Sequence, residues 1–389
     1  MHLETAAGGI GTRAPRSIWT DGAVASTSWV VKLALVGGTF EEGGGRPSGY
    51  VQRLWQALRT CGADVAKFVN GGTWAELASV ADTIGSFDAV LWFADVSNER
   101  PKIVADIKVR WPKLYLVTSK RNLDGQYGTS EILGRALKTK SNLLVEMTGR
   151  RSAVESTIWD PLGSAYCLRE TDIDVVADAL LRRLVRLGQF KRVGCQSIGE
   201  GKRVEPPMTP ELEEFYSLVR EQAERFHEII HGVGHERMMG NASFRCARGF
   251  PSFREGFLLF VSQRDVDKRF IGPEAFVAVA ADAFDPVYYY GPVKPSVDTP
   301  IQVRLYGTYP RVRFMLHSHT YIEGAPMTAE PIPCGAVEEA AAVGELVPDG
   351  DAADFAVNLR GHGSIVLASK IETLRGQPWC ARPVPDRAS

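Results

Sequence analysis

Two histidines one residue apart end an apolar run, Val312-Arg313-Phe314-Met315-Leu316-His317-Ser318-His319. On an extended strand alternate side chains share a face, so both imidazoles point the same way. Neutral imidazole is the commonest nitrogen ligand of zinc, and two rings on one strand face supply half of a tetrahedral shell. A third ligand is then required. His362, in Asn358-Leu359-Arg360-Gly361-His362-Gly363-Ser364-Ile365-Val366, precedes another apolar run and stands between glycines, which allow close backbone approach. Three neutral ligands leave a divalent cation its full charge and leave positions open for substrate oxygens, which suits Lewis-acid chemistry on a hydroxy-carbonyl unit. Alone, a His-x-His pair is more often packed or exposed than ligating. The surrounding sequence is what favours the ligand reading.

Three further stretches lie in that surrounding sequence. Gly240-Asn241-Ala242-Ser243-Phe244-Arg245 follows a long helical pattern, Pro295-Ser296-Val297-Asp298-Thr299-Pro300 opens a segment at 301–309 that leads into the histidine strand, and Pro331-Ile332-Pro333-Cys334-Gly335-Ala336 forms a proline-rich turn after it. With the His-x-His pair and the later His362-Gly363, these stretches resemble, in order, the motifs of the class II aldolase/adducin family. The resemblance runs from about Pro210 to the C-terminus and leaves the first half of the chain unaddressed. It implies an α/β/α domain with a mainly antiparallel central sheet, assembled into homo-oligomeric rings, often tetramers, with active sites between subunits. It also implies a divalent metal ion, expected to be Zn2+, on His317, His319 and His362, with Asp298 as the proton-shuttling acid. Asn241, Ser243 and Ser296 would bind the substrate, at the positions where aldolases of this group hold a phosphate.

The implied reaction is a metal-dependent lyase step of the aldolase type, cleaving or forming a carbon–carbon bond in a small hydroxy-carbonyl substrate. Sugars, sugar phosphates and nucleoside-derived compounds are the expected classes. A cation that chelates the ketol oxygens stabilises an enediolate far better than water does. Epimerisation, dehydration and decarboxylation pass through related species, and a non-catalytic adducin-like assembly module is the reading from another class. Intact His317, His319 and His362 weigh against that module. The chain departs from the family pattern in three places: Asp298 stands where glutamate is usual and is one methylene shorter, Val297 replaces a frequent serine, and the glycine-containing loop expected near Ser262 is absent. Glu323 is the alternative proton donor should Asp298 serve only to cap the following helix.

Two rival patterns carry less. His227-Glu228-Ile229-Ile230-His231, with His235 beyond, matches the core of a zinc-protease helix, but the glycine and third histidine of the extended signature are missing. A histidine-rich outer helix face explains it better. Near the start, Val36-Gly37-Gly38-Thr39-Phe40 and Gly43-Gly44-Gly45 follow the first strand, where nucleotide-binding folds place phosphate loops. Their spacing fits neither the dinucleotide fingerprint nor the P-loop. Asp95, Asn98 and Asn122 follow later strands, at the edge where open α/β sheets bind ligands.

The elements that must carry these residues divide the chain in two. Short β-branched runs at 32–36, 64–68, 89–93, 114–117 and 143–146 alternate with helical patterns at 50–60, 74–84, 101–110, 130–137 and 173–187. That alternation predicts a doubly wound parallel sheet over 29–188, flavodoxin-like or Rossmann-like, and vaguely similar to nucleoside deoxyribosyltransferase-like domains. Residues 189–208 lack apolar periodicity and read as a linker. Thr209-Pro210-Glu211-Leu212-Glu213 is a helix start, with a hydroxyl cap, proline in the first turn and acids behind it. The second domain, 209–389, begins there with a helix to about His231 and continues through a strand-rich region.

Bulk properties narrow the function classes. The chain has 389 residues, 44% of them hydrophobic and 23% charged, with a formal net charge of -1. Such a chain is expected to fold as two globular domains with no electrostatic call for nucleic acid or membrane partners. The six cysteines have no paired spacing, so reduced thiols in a cytoplasmic protein are expected. Residues 1–28 have no apolar core segment and read as a flexible tail or start-site extension.

Overall fold

A computed structural model describes residues 31–95, 102–123, 125–149, 154–161, 163–191, 198–229, 240–246 and 258–381. The expected tail, Asn98, His231 and His235 lie outside these residues.

In the first domain β1 (Lys32–Glu41), α1 (Gly49–Thr60), β2 (Asp64–Thr73), α2 (Trp74–Thr83), β3 (Ala89–Asp95), α3 (Lys102–Arg110), β4 (Tyr115–Asn122), α4 (Thr129–Lys138) and β5 (Leu143–Thr148) alternate as the pattern predicts. The five strands are parallel, in the order β2-β1-β3-β4-β5. Two antiparallel strands that the pattern did not reveal, β6 (Glu155–Trp159) and β7 (Ala165–Glu170), extend the sheet beyond β5. Strand alternation sends Leu33 and Leu35 toward α1 and α5 (Ile173–Gln189), and Ala34 and Val36 toward α2 and α3. Both faces are therefore buried, which is why these strands read as unbroken apolar runs.

The glycine-rich turn after β1 is engaged by its own chain: Thr39 N–H donates to Arg46 O at 2.9 Å and Gly45 N–H to Gly72 O at 2.7 Å. Asp95 pairs with Arg121 at 3.3 Å, and Asn122 donates to the buried Glu146 at 2.7 Å.

The second domain comprises β8 (Ile198–Glu200), α6 (Pro210–Ile229), β9 (Gly240–Cys246), β10 (Leu258–Ser262), β11 (Phe276–Phe284), β12 (Val287–Tyr290), α7 (Thr299–Thr308), β13 (Phe314–Ser318), β14 (Tyr321–Ile322), α8 (Glu338–Leu346), β15 (Phe355–Leu359), β16 (Gly363–Ala368), α9 (Ile371–Arg375) and β17 (Trp379–Cys380). Eight of the strands form one sheet, β15-β16-β13-β9-β10-β11-β12-β8, antiparallel except where β8 joins β12. The stretch read as a linker thus supplies an edge strand. Three residues held by backbone pairing alone leave no apolar period to read.

Thr209 caps α6, its hydroxyl accepting from Leu212 N–H at 3.2 Å. Phe215 of α6 is fully buried, with ring centroids 5.7 Å from Phe244, 6.0 Å from Phe276 and 5.1 Å from Phe314. Burying one such ring contributes about 1.5–3 kcal/mol. α6 and α9 cover this face of the sheet, and α7 and α8 cover the other. The result is an α/β/α sandwich. No described helix is long and apolar enough to cross a membrane.

The two domains meet beside the turn that precedes α8. Phe190 packs on Ile332 and Ala336, the Arg183 guanidinium donates to Pro331 O at 3.0 Å, and Arg186 pairs with Glu330.

Candidate metal centre

The register of β13 aims the first histidine. Phe314 and Leu316 are committed to the aromatic core under α6, while Met315 packs on the opposite face. Strict alternation then turns His317 toward α7 and α8. His317 pairs with Asn241 of β9 and Ile365 of β16, so the ring lies in the middle of the sheet, 3% exposed. His319 follows one residue after β13 ends and is half-buried.

His362 occupies the turn between β15 and β16. The glycines on either side are demanded by space and by backbone angle. A Cβ on Gly363 (φ +124°) would sit 2.0 Å from Ser318 O, and one on Gly361 (φ +66°) would sit 2.5 Å from Asp160 Oδ2 of the first domain. Glycine alone is at ease with both.

The three rings converge, with centroids 5.1 Å apart for His317 and His319, 4.6 Å for His317 and His362, and 5.3 Å for His319 and His362. One ring nitrogen from each lies within 4.8 Å of the others. Two tautomers follow from their partners. His317 Nδ1 lies 2.8 Å from Ser364 O, which can only accept, so Nδ1 carries the proton and Nε2 presents its lone pair. That Nε2 is buried and makes no hydrogen bond to any described residue. Leaving such an acceptor unsatisfied costs about 1–3 kcal/mol, and a cation would satisfy it.

His362 Nδ1 lies 2.8 and 2.9 Å from the two oxygens of Glu339, which directs Nε2 away from α8. A carboxylate behind a histidine is the usual means of orienting a metal ligand and raising its basicity. The residues present therefore fit a divalent ion.

Electrostatics separate the two rings. Burial, helped by the charge of His362, pushes His317 down to about 4, so it is neutral at physiological pH. At His362 burial also opposes the charge, but Cys334 and Glu339 together overcome it and hold the pKa well above 6.5. Burial raises the Glu339 carboxyl, with His362 opposing.

Asp298 is 6% exposed. Its Oδ1 accepts from Gly335 N–H at 2.9 Å, its Oδ2 accepts from Asn241 at 3.0 Å, and Oδ2 lies 3.9 Å from His317 Nε2. It sits at the N-cap position of α7 but makes no side-chain cap hydrogen bond there. The helix-cap alternative is thereby corrected: the carboxylate is turned into the site and held by groups from β9 and the proline-rich turn. Asn241 in turn accepts from Gln302.

The other expected residues are placed differently. Ser243 is fully buried and shares its hydroxyl with Tyr306 at 3.1 Å, and Ser296 Oγ accepts from Asp298 N–H at 3.3 Å. Neither lines the cavity of about 10 Å³ bordered by Asn241, Asp298, Gln302, His317, Glu339 and His362. Glu323 is exposed beyond β14. His227, Glu228 and Ile229 lie on α6, whereas Ile230, His231 and His235 are outside the described residues.

Sequence reasoning missed three residues. Glu339 could have been found, because it falls on the apolar stripe of α8 with Ala340 and Val343, which the buried Ala336 of the preceding turn continues. Cys334 Sγ, 2.9 Å from His362 Nε2, gave no local signal. Lys268 is buried near Asp298, and burial pushes its ammonium down to about 8 against the pull of Asp265, Asp298 and Asp267.

Residues 223–377 match the family described as Class II Aldolase and Adducin N-terminal domain. Among solved structures, the chain is similar to an L-fuculose-1-phosphate aldolase from Thermus thermophilus, at 19% identity and a TM-score of 0.29 over 42% of this chain and 84% of the other. A sugar-phosphate aldolase from Thermotoga maritima matches at 13% identity and a TM-score of 0.31, over 42% of this chain and 89% of the other. A DNA/pantothenate metabolism flavoprotein from Streptococcus pneumoniae matches at 9% identity and a TM-score of 0.31, over 40% of this chain and 98% of the other. No curated protein matches the sequence. The ordered motifs, the sandwich that carries them and the family match agree: residues 223–377 bear the sequence pattern of the Class II Aldolase and Adducin family.

Proposed function

We propose that the chain is a metal-dependent lyase of the aldolase type, acting on a small hydroxy-carbonyl compound, with His317, His319 and His362 holding the cation. The observation that carries this reading is the buried, unpartnered His317 Nε2 facing two further imidazoles, backed by the Glu339 carboxylate behind His362. A divalent cation, zinc being the ion that fits this donor set best, supplies Lewis-acid stabilisation of charge developing on substrate oxygen.

The chain's own residues do the rest. Glu339 holds the His362 ring in one orientation. Asn241 and the Gly335 N–H hold Asp298 in place, with its carboxylate beside His317 and able to take and return a proton. Lys268 adds positive charge near Asp298. Assembly into a ring, with a neighbouring subunit completing the site on the half-buried His319 side, belongs to the same proposal.

The test is a screen of the metal-loaded chain against hydroxy-carbonyl sugars and sugar phosphates for release of aldehyde or ketone, with and without chelator. Asp298→Asn should slow the active reaction roughly 10²–10⁴-fold while metal content is retained. Cleavage that survives full metal removal would refute the assignment, and an unchanged rate in the Asn variant would remove Asp298 from it.

A further inference from the structure

Cys334 stands against the histidine cluster, its sulfur in hydrogen-bond contact with one ring. Its Sγ is 2.9 Å from His362 Nε2. Because Glu339 engages Nδ1 of that ring, Nε2 is the nitrogen left for a cation, and it is the nitrogen the sulfur meets. Asp298, Cys334 and His362 also place one donor atom each within 4.8 Å of one another, as the three histidines do, and His362 belongs to both groups. His317, 3% exposed and with its Nε2 unpartnered, lies 3.9 Å from Asp298 Oδ2 and faces the same space.

The turn that carries the sulfur is fixed on both sides. Pro331 O accepts from Arg183 of the first domain, Ile332 packs on Phe190, and Gly335 N–H donates to Asp298. A cysteine held in this way is placed by the fold.

We propose that Cys334 is a ligand of the same cation, so that the centre is a nitrogen–sulfur set and not an all-histidine one. The inference rests on the three-histidine reading above and extends it. Two ligands on one tetrahedral zinc, at about 2.0 Å for nitrogen and 2.3 Å for sulfur, stand roughly 3.5 Å apart. The present separation therefore needs only about half an ångström of adjustment. Sulfur binds as thiolate, its proton passing to solvent, so one unit of the ion's charge is neutralised before substrate arrives. Two consequences follow. The site favours thiophilic ions over magnesium or manganese. A chelating substrate gains its second position by displacing Cys334, which couples substrate entry to movement of the turn that the first domain holds.

The experiment uses the full-length chain, stripped with a chelator under reducing conditions and reloaded with cobalt(II). Wild type should bind cobalt stoichiometrically, with visible ligand-field bands and a near-ultraviolet sulfur-to-cobalt charge-transfer band. Cys334→Ser and Cys334→Ala should each lose the charge-transfer band while keeping the visible bands and the bound cobalt. Cobalt bound in wild type without the charge-transfer band would overturn the cysteine ligand and leave the histidine site standing. Persistence of that band in both variants would assign the sulfur to another cysteine and also overturn it. Failure of wild type to bind cobalt at all would overturn the histidine site and this inference with it.

Discussion

At the scale of single residues, the centre is arranged by partners the histidines acquire from distant parts of the chain. His317 is oriented by Ser364 O and His362 by Glu339. Replacing Glu339 by glutamine keeps its shape but removes the charge behind His362. Zinc affinity, measured by competition with a chelating dye, should fall about 10–100-fold, whereas unchanged affinity would make the contact incidental.

The buried His317 carries a pH signature. Its folded pKa is pushed down to about 4 from the ordinary 6.5. Between those values the unfolded chain takes up a proton that the folded chain refuses. Its contribution is thus intact above pH 6.5 and is lost as pH falls toward 4. With chelator present, wild type should lose up to roughly 3 kcal/mol more over that window than His317→Gln. Parallel stability curves for the two proteins would show that the ring is not held neutral. The convergence of the histidines was legible from sequence because they fall in two short motifs. Glu339 was legible in principle, as a carboxylate on an apolar stripe. Cys334 was not, since its meaning depends on a ring 28 residues away.

At the scale of elements, periodicity located nearly all the strands and helices of the first domain, because parallel strands buried on both faces are continuous apolar runs. β6 and β7 escaped it. Glu155–Trp159 and Ala165–Glu170 are short and mixed in polarity, and both are held by antiparallel pairing beyond β5, with β7 at the sheet edge. β8 escaped because it is three residues long and pairs in parallel with β12 at the other sheet's edge. The β15–β16 turn shows how an element places chemistry. Gly361 must adopt φ +66° with Asp160 against its Cα, and the next residue is His362. Gly361→Ala should destabilise the protein by about 1–3 kcal/mol in urea titrations and should weaken zinc binding as well, because the strain is relieved by moving the ligand. A variant with the wild-type midpoint would mean that the turn has room the structure does not show.

At the scale of the molecule, the first domain does more than precede the second. Arg183, Arg186 and Phe190 grip the turn that presents Cys334 and the Gly335 N–H to Asp298. Composition and periodicity could divide the chain but could not reveal this contact, since nothing local to α5 marks which of its arginines meets another domain. The central claim remains that one cation sits on His317, His319 and His362. Elemental analysis of the purified full-length chain, beside His317→Ala and His362→Ala, tests it most directly. Wild type should hold a stoichiometric divalent metal and both variants should lose it, with circular dichroism showing that each stays folded. Full metal retention in both folded variants would contradict it.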